Sequence, residues 1–272
     1  MSLFTIDRDK CTGDGICAAV CPVGIIKAPD KGGCPEPVPG AERICIECGH
    51  CLAVCPHGAL QLESMRDLET PAIDPGLLAG PDQLELLMCA RRSVRVYQDK
   101  PVPRDLLAKL IAVARYAPSG HNSQPVHWLV IEDVDEVQRL AGLVIDWMRL
   151  MAKENPAQAG TIGLVKLVDG WDEGKDLICR NAPHLIIAHA ASPMGLSACT
   201  IALTYLELAA FANELGACWA GFLNWAATSY LPLQQALALP EGHQCCGALM
   251  IGYPKFRYHR IPARKAPPVA WR

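Results

Sequence analysis

The sequence predicts an α+β protein in two parts, a small cysteine-ligated module followed by a larger domain of mixed helices and strands. Three observations carry this reading. Eight of the fourteen cysteines lie before residue 56. Residues 67–84 hold three prolines and two glycines, a composition that favours an extended linker. From residue 85 onward helical and strand patterns alternate. The expected boundaries are therefore 1–66 for the first module, 67–84 for the linker and 85–272 for the larger domain.

Within the larger domain, Pro103 opens a helix on which Leu106, Leu107, Leu110, Ile111 and Ala114 share one face. Val126–Ile131 and His184–His189 read as strands. Ser197 can cap a helix that runs to Leu215 and closes at Gly216. Cys218–Leu223 and Gly247–Gly252 are short apolar strand candidates.

Composition excludes several classes. A formal net charge of −3 argues against a general nucleic-acid binder, which presents a basic surface. Charged or turn residues break the apolar stretches before the ~18 residues that suggest a membrane span. Met1 runs straight into a mixed polar sequence with no secretory leader, so the expected location is cytoplasmic. There is no HExxH, P-loop or nucleophile elbow to support a hydrolase. With no leader, the cysteines point to metal or redox chemistry rather than disulfides. The six later ones (Cys89, Cys179, Cys199, Cys218, Cys245, Cys246) read as small buried apolar residues.

Cys45-Ile-Glu-Cys48-Gly-His-Cys51-Leu-Ala-Val-Cys55-Pro56 has the C-x₂-C-x₂-C-x₃-C-P spacing of an iron–sulfur ligand run. Structural zinc would need only four ligands and no trailing Cys-Pro. An earlier run, Cys11-Thr-Gly-Asp14-Gly-Ile-Cys17-Ala-Ala-Val-Cys21-Pro22, repeats the pattern with Asp14 where a cysteine belongs. Cys34 and His50 fall outside the ligand register. Gly13-x-Gly15-x-x-Ala18 imitates a dinucleotide fingerprint, but the cysteine turns already account for its glycines.

Residues 3–63 thus resemble bacterial two-cluster ferredoxins. The resemblance implies crossed ligation, with Cys45, Cys48, Cys51 and Cys21 on a complete [4Fe–4S] cluster. Cys11, Cys17 and Cys55 would hold the second, with Asp14 at its fourth corner. That second site is a [4Fe–4S] cluster with a carboxylate ligand, a [3Fe–4S] cluster, or empty, because carboxylate holds iron less tightly than thiolate.

Three segments of the larger domain point to one ligand. Arg91-Arg92-Ser93-Val94-Arg95 gathers three arginines and a hydroxyl, a set suited to phosphate capture. Pro118-Ser119-Gly120-His121-Asn122-Ser123-Gln124-Pro125 is a polar loop whose amides suit the edge of a flavin ring. Gly216-Ala217-Cys218-Trp219-Ala220-Gly221 lets backbone approach a planar group.

In this order and spacing they resemble the FMN-dependent nitroreductase family over residues 85–260. The resemblance implies FMN, an α+β fold and a homodimer with the flavin at the subunit interface. It places Arg91, Arg92, Ser93 and Arg95 at the phosphate or ribityl chain. Pro118, Ser119, Asn122 and Gln124 would lie along the ring, and the amides of Ala220 and Gly221 near its N5 edge. A basic residue near the tail would complete the phosphate site, Arg264 or Arg260. The stretch 145–175, with Trp147, Met148, Met151, Trp171 and Asp172, is either a substrate lid or ordinary core, and His121 is a candidate proton donor.

Together these features describe an iron–sulfur flavoprotein oxidoreductase. It would exchange single electrons between the clusters and FMN at the high effective concentration a tether provides. The acceptor class is a nitro compound, a quinone or an activated alkene. An external ferredoxin or NAD(P)H would be the donor. Alternatives are an NAD(P)H-driven flavin reductase and a non-catalytic electron-relay subunit.

Overall fold

The computed structural model describes residues 3–28, 30, 33–191 and 194–272. The chain forms two compact units, residues 1–78 with Gly120–Ser123, and residues 79–119 with 124–272.

Unit 1 is built around its cysteine runs. Strand β1 (Phe4–Ile6) is followed by helix α1 (Ile16–Ala19), β2 (Ile26–Lys27), β3 (Glu36–Pro37), α2 (His50–Ala53) and β4 (Leu60–Leu62). β1 pairs antiparallel with β4, setting Phe4 opposite Leu62, and β2 pairs with β3. The two halves repeat one another in backbone detail. Gly15 and Gly49 precede α1 and α2 with φ of 72° each, a left-handed conformation that glycine adopts without steric cost. The apolar core is small, formed by Phe4, Ile25, Ile26, Leu60 and Leu62 around Cys17 and Cys51.

Unit 2 begins with α3 (Pro81–Ala90) and α4 (Arg104–Ala114), then β5 (His127–Ile131), α5 (Val134–Glu154), α6 (Pro156–Thr161) and α7 (Leu164–Asp172). β6 (His184–Ala190), α8 (Gly195–Ala212), β7 (Gly216–Trp219), α9 (Gly221–Ser229), α10 (Leu231–Leu237) and β8 (Gln244–Gly252) complete it. The sheet order is β5-β6-β8-β7, with antiparallel neighbours. Every residue of β6 is buried, as expected for a central strand covered on both faces. One core cluster gathers α5, α7 and α9; the other gathers α4, α8 and the opposite sheet face.

Several boundaries differ from the sequence expectation. α3 starts at Pro81, inside the stretch read as linker; Pro81 occupies the first turn and the Gln83 side chain accepts from the Gly80 N–H at 3.2 Å. α8 begins at Gly195, so Ser197 lies within the first turn, its hydroxyl donating to the Met194 carbonyl. The helix ends at Ala212, and Glu214 rather than Gly216 takes the left-handed turn, with φ 60°. Gly216 is already committed to β7. The run Cys218–Leu223 splits between strand and helix, because Leu223, Ala226 and Ala227 bury at helical spacing and draw the chain into α9. Cys89 is exposed rather than buried.

Among the described residues α8 alone is long and apolar enough to cross a membrane, a length the sequence reading had not credited to any segment; nearly half of it is buried against the sheet.

Candidate functional site

Two cavities of unit 1 divide the eight predicted ligands between them. One is lined by Cys21, Cys45, Cys48 and Cys51. The other is lined by Cys11, Asp14, Cys17 and Cys55. Each run therefore sends its fourth cysteine to the other run's cavity. A [4Fe–4S] core is compact and takes one ligand per corner, and each cavity has four candidate donors in its lining. In residue type both sets suit the group.

Backbone N–H groups reach two of the predicted ligands. Cys45 Sγ accepts from the Glu47 N–H at 3.4 Å and Cys55 Sγ from the Ala59 N–H at 3.2 Å. Burial pushes the Cys51 thiol up to about 11 and also raises Cys17. Asp14 accepts from the Ile16 N–H at 3.1 Å and from the Thr12 hydroxyl at 3.2 Å. These bonds aim the carboxylate from the turn that precedes α1. Cys34, set aside by its position in sequence, lies beside Cys11; burial and that neighbouring thiol raise its pKa.

In unit 2 the segment Arg91–Tyr97 runs along β7. Ser93 bridges Ala217, and the Val94 N–H donates to the Ala217 carbonyl at 3.0 Å. Gly216 makes this approach possible, since a Cβ there would stand 2.5 Å from a Val94 methyl. Arg91 pairs with Glu207 of α8 at 2.8 Å, and Glu207 is buried. Arg92 and Ser93 are half-buried and Arg95 is exposed, its guanidinium donating to the Ser93 carbonyl at 3.4 Å. Glu207 was not foreseen. Its signal in the sequence was available, for it is the one charged residue in the helix.

Pro118, Ser119 and Gln124 line a cavity of about 100 Å³ together with Arg115, Trp128 and Ala198. Ser119 Oγ accepts from the Gln124 N–H at 3.0 Å, closing the loop on itself. Asn122, expected along the same edge, belongs to unit 1; its amide donates to the carbonyls of Ile46 and Glu47. His121 is exposed with φ 53°.

The Ala220 N–H, expected at a ring edge, is instead spent on the Ala248 carbonyl at 2.9 Å, because β7 continues its pairing with β8 to that residue. Gly221 opens α9, and a Cβ there would meet nothing within 4 Å. Arg260 and Arg264 lie in an exposed tail outside regular structure. Of the two readings of 145–175, lid or core, the side chains named show core packing. Trp147 and Met148 are buried in the main core, with Trp147 edge-on to Trp225 at 5.1 Å, and Met151 and Trp171 pack against that core. Asp172 stays at the surface, paired with Arg149.

Residues 89–253 match the Nitroreductase family and residues 4–27 match a 4Fe-4S binding domain. An NADH dehydrogenase/NAD(P)H nitroreductase candidate of Archaeoglobus fulgidus is 24% identical over 169 residues, 62% of this chain and 84% of that protein. The iodotyrosine deiodinase of Danio rerio is 29% identical over 112 residues, 41% of this chain; the match spans only 37% of the deiodinase. Among solved structures, an FMN-bound nitroreductase from Bacteroides fragilis superposes with a TM-score of 0.54 at 22% identity, covering 69% of this chain and 98% of that one. Another from Desulfitobacterium hafniense gives 0.55 at 20% identity, covering 69% and 96%. At such identities the structural likeness is one of fold. With its arginine strip held on β7, its polar cavity beside Gln124 and a cysteine-lined module ahead of them, the chain belongs to the Nitroreductase family and carries an N-terminal 4Fe-4S binding domain.

Proposed function

We propose that this protein is an FMN-dependent oxidoreductase. It passes electrons between iron–sulfur clusters and the flavin, and it reduces a small organic acceptor such as a nitro compound, a quinone or an activated alkene. The observation that carries the reading is the partition of the eight predicted ligands into two four-donor cavities, in a chain whose other unit is of the Nitroreductase family. The solved relatives from Bacteroides and Desulfitobacterium hold FMN, which supports the same cofactor here.

Bound FMN supplies the exchange between single-electron and two-electron chemistry. The chain's own residues bind and orient it. Arg92, Ser93 and Arg95 take the phosphate, with Arg91 held against Glu207 and Arg264 or Arg260 closing the site from the tail. Pro118, Ser119 and Gln124 line the ring, and the free Gly221 amide faces its edge. Cys21, Cys45, Cys48 and Cys51 hold one [4Fe–4S] cluster; Cys11, Cys17, Cys55 and Asp14 hold a second cluster of three or four irons. His121 serves as a proton donor to the reduced product. The protein works as a cytoplasmic homodimer. Its fourteen free cysteines suit a reducing compartment, and α3, with Leu84, Leu86 and Met88 exposed, buries none of its residues within the chain.

The test is anaerobic purification with iron, sulfide and flavin quantitation, followed by stopped-flow mixing with reduced ferredoxin, NADH and NADPH. Both cofactors should be present and reduced ferredoxin should bleach the flavin. Colourless protein, or yellow protein without acid-labile sulfide, overturns the reading. Rapid bleaching by NAD(P)H alone favours the second reading, an NAD(P)H-driven reductase, which the name of the Archaeoglobus relative supports.

A further inference from the structure

Asn122 sits in Gly120–Ser123, the segment grouped with unit 1. Its side-chain nitrogen donates to the Ile46 carbonyl at 3.2 Å and to the Glu47 carbonyl at 3.0 Å. The Ile46 carbonyl shares a peptide plane with the Glu47 N–H, and that N–H donates to Cys45 Sγ at 3.4 Å. Side-chain amide, peptide group and ligand sulfur therefore stand in series. Hydrogen bonds in series polarise one another, by roughly 10–30% per bond, so a peptide engaged at its oxygen donates more strongly at its nitrogen.

The turn also needs to be held. Glu47 has φ 51°, a left-handed conformation that is sterically costly for a non-glycine residue. At the matching place in the first run stands Gly13, with φ 68° and no such cost. Asn122 and His121 are left-handed as well, at 52° and 53°. Strain of this kind persists only where surrounding contacts over-determine it, and the paired bonds from Asn122 to consecutive carbonyls are such contacts.

We propose that Asn122 is a positioning residue for the cluster bound by Cys21, Cys45, Cys48 and Cys51. It fixes the Cys45–Cys48 turn and strengthens the N–H···S bond onto Cys45. The inference rests on that turn carrying a cluster, as proposed above. Donors to ligand sulfur favour the reduced, more negative cluster and so raise its potential. Loss of Asn122 lowers the potential and loosens the cluster.

The experiment uses the full chain, purified anaerobically, as wild type, Asn122→Ala, Asn122→Asp and Asn122→Ala/Glu47→Gly. Potentials are read by redox titration followed by EPR, with iron, sulfide and flavin content measured in parallel. In Asn122→Ala and Asn122→Asp the signal of this cluster should move to lower potential and its iron should be lost severalfold faster in air. The signal of the cluster at Asp14 should stay in place as the internal control. Glu47→Gly, by relaxing the turn, should restore cluster retention in the Asn122→Ala background without restoring the potential. Asn122→Asp preserves side-chain shape but exchanges the donor for an anionic acceptor whose charge itself lowers the potential, so in that variant cluster retention is the readout, and it keeps the proposal testable if the alanine variant folds poorly. An unmoved potential with normal retention overturns the proposal, as does flavin loss with an intact cluster, which would return Asn122 to the ring edge. Wild-type protein without acid-labile sulfide is a different result: it sinks the functional reading itself.

Discussion

Arg91 and Glu207, 116 positions apart in sequence, meet as an ion pair at 2.8 Å, with the carboxylate buried on an otherwise uncharged helix. A buried charge is costly unless paired, so each residue holds the other in place. Glu207→Ala should destabilise the protein by about 3 kcal/mol, measured by urea unfolding. It should also weaken flavin retention by freeing Arg91. Arg92→Ala and Arg95→Ala should reduce flavin retention while leaving stability within about 0.5 kcal/mol of wild type. Equal stability losses in all three would remove the distinction.

Asp14 stands in the first run at the position that Cys48 holds in the second. Asp14→Cys should raise the iron and sulfide retained and convert any three-iron EPR signal of the oxidised protein to that of a four-iron cluster. An unchanged iron count and spectrum would show that Asp14 does not face the cluster.

Gly216 and Val94 are in close approach, a Cβ at the former falling 2.5 Å from a methyl of the latter. Gly216→Ala should cost about 1–3 kcal/mol through overpacking and loosen the arginine strip from β7, with lower flavin content. Adding Val94→Ala should recover most of the flavin binding. If the double variant retains no more flavin than the single one, the strip is not held by this contact.

Two buried histidines set a pH limit on stability. His184 Nε2 accepts from the Val102 N–H at 2.8 Å while Nδ1 faces the Glu132 carbonyl at 3.0 Å, the arrangement of a neutral ring. Burial lowers its pKa below the ordinary 6.5. Burial, with His243 and His127 close by, lowers that of His189 in the same way. Between these lowered values and about pH 6.5 the unfolded chain binds protons that the folded chain refuses. Stability should therefore be full above pH 6.5 and fall as the pH drops below it. Thermal melts from pH 8 to pH 5 would show the slope, and His184→Gln should flatten it.

Trp147 packs edge-on to Trp225 inside the main core. Trp147→Ala should cost about 3–5 kcal/mol, seen in denaturant unfolding, with the KM for a nitro acceptor unchanged at permissive temperature. A large KM change at constant stability would reinstate the segment as a lid.

The paired cysteine runs were legible because iron ligation demands fixed residue types at fixed spacing, and the division of their side chains between two cavities is the arrangement the ferredoxin resemblance implies. The arginine strip and the Ser119–Gln124 loop were legible as motifs for a similar reason. The faces of α4 and the strands β5, β6 and β8 followed from periodicity, because burial on one face or both leaves a local mark. What tertiary structure decided was partnership. Nothing local to Asn122 says that its amide goes to Ile46 and Glu47, and nothing near Ala220 says that its N–H is spent on Ala248. The apolar content of 145–175 fitted a lid as well as a core, and only the contacts of Trp147 and Met148 chose. Spacing along a chain fixes which groups travel together. Which groups meet across it is set by the packing that brings distant segments into van der Waals and hydrogen-bond range, and that is a property of the folded chain.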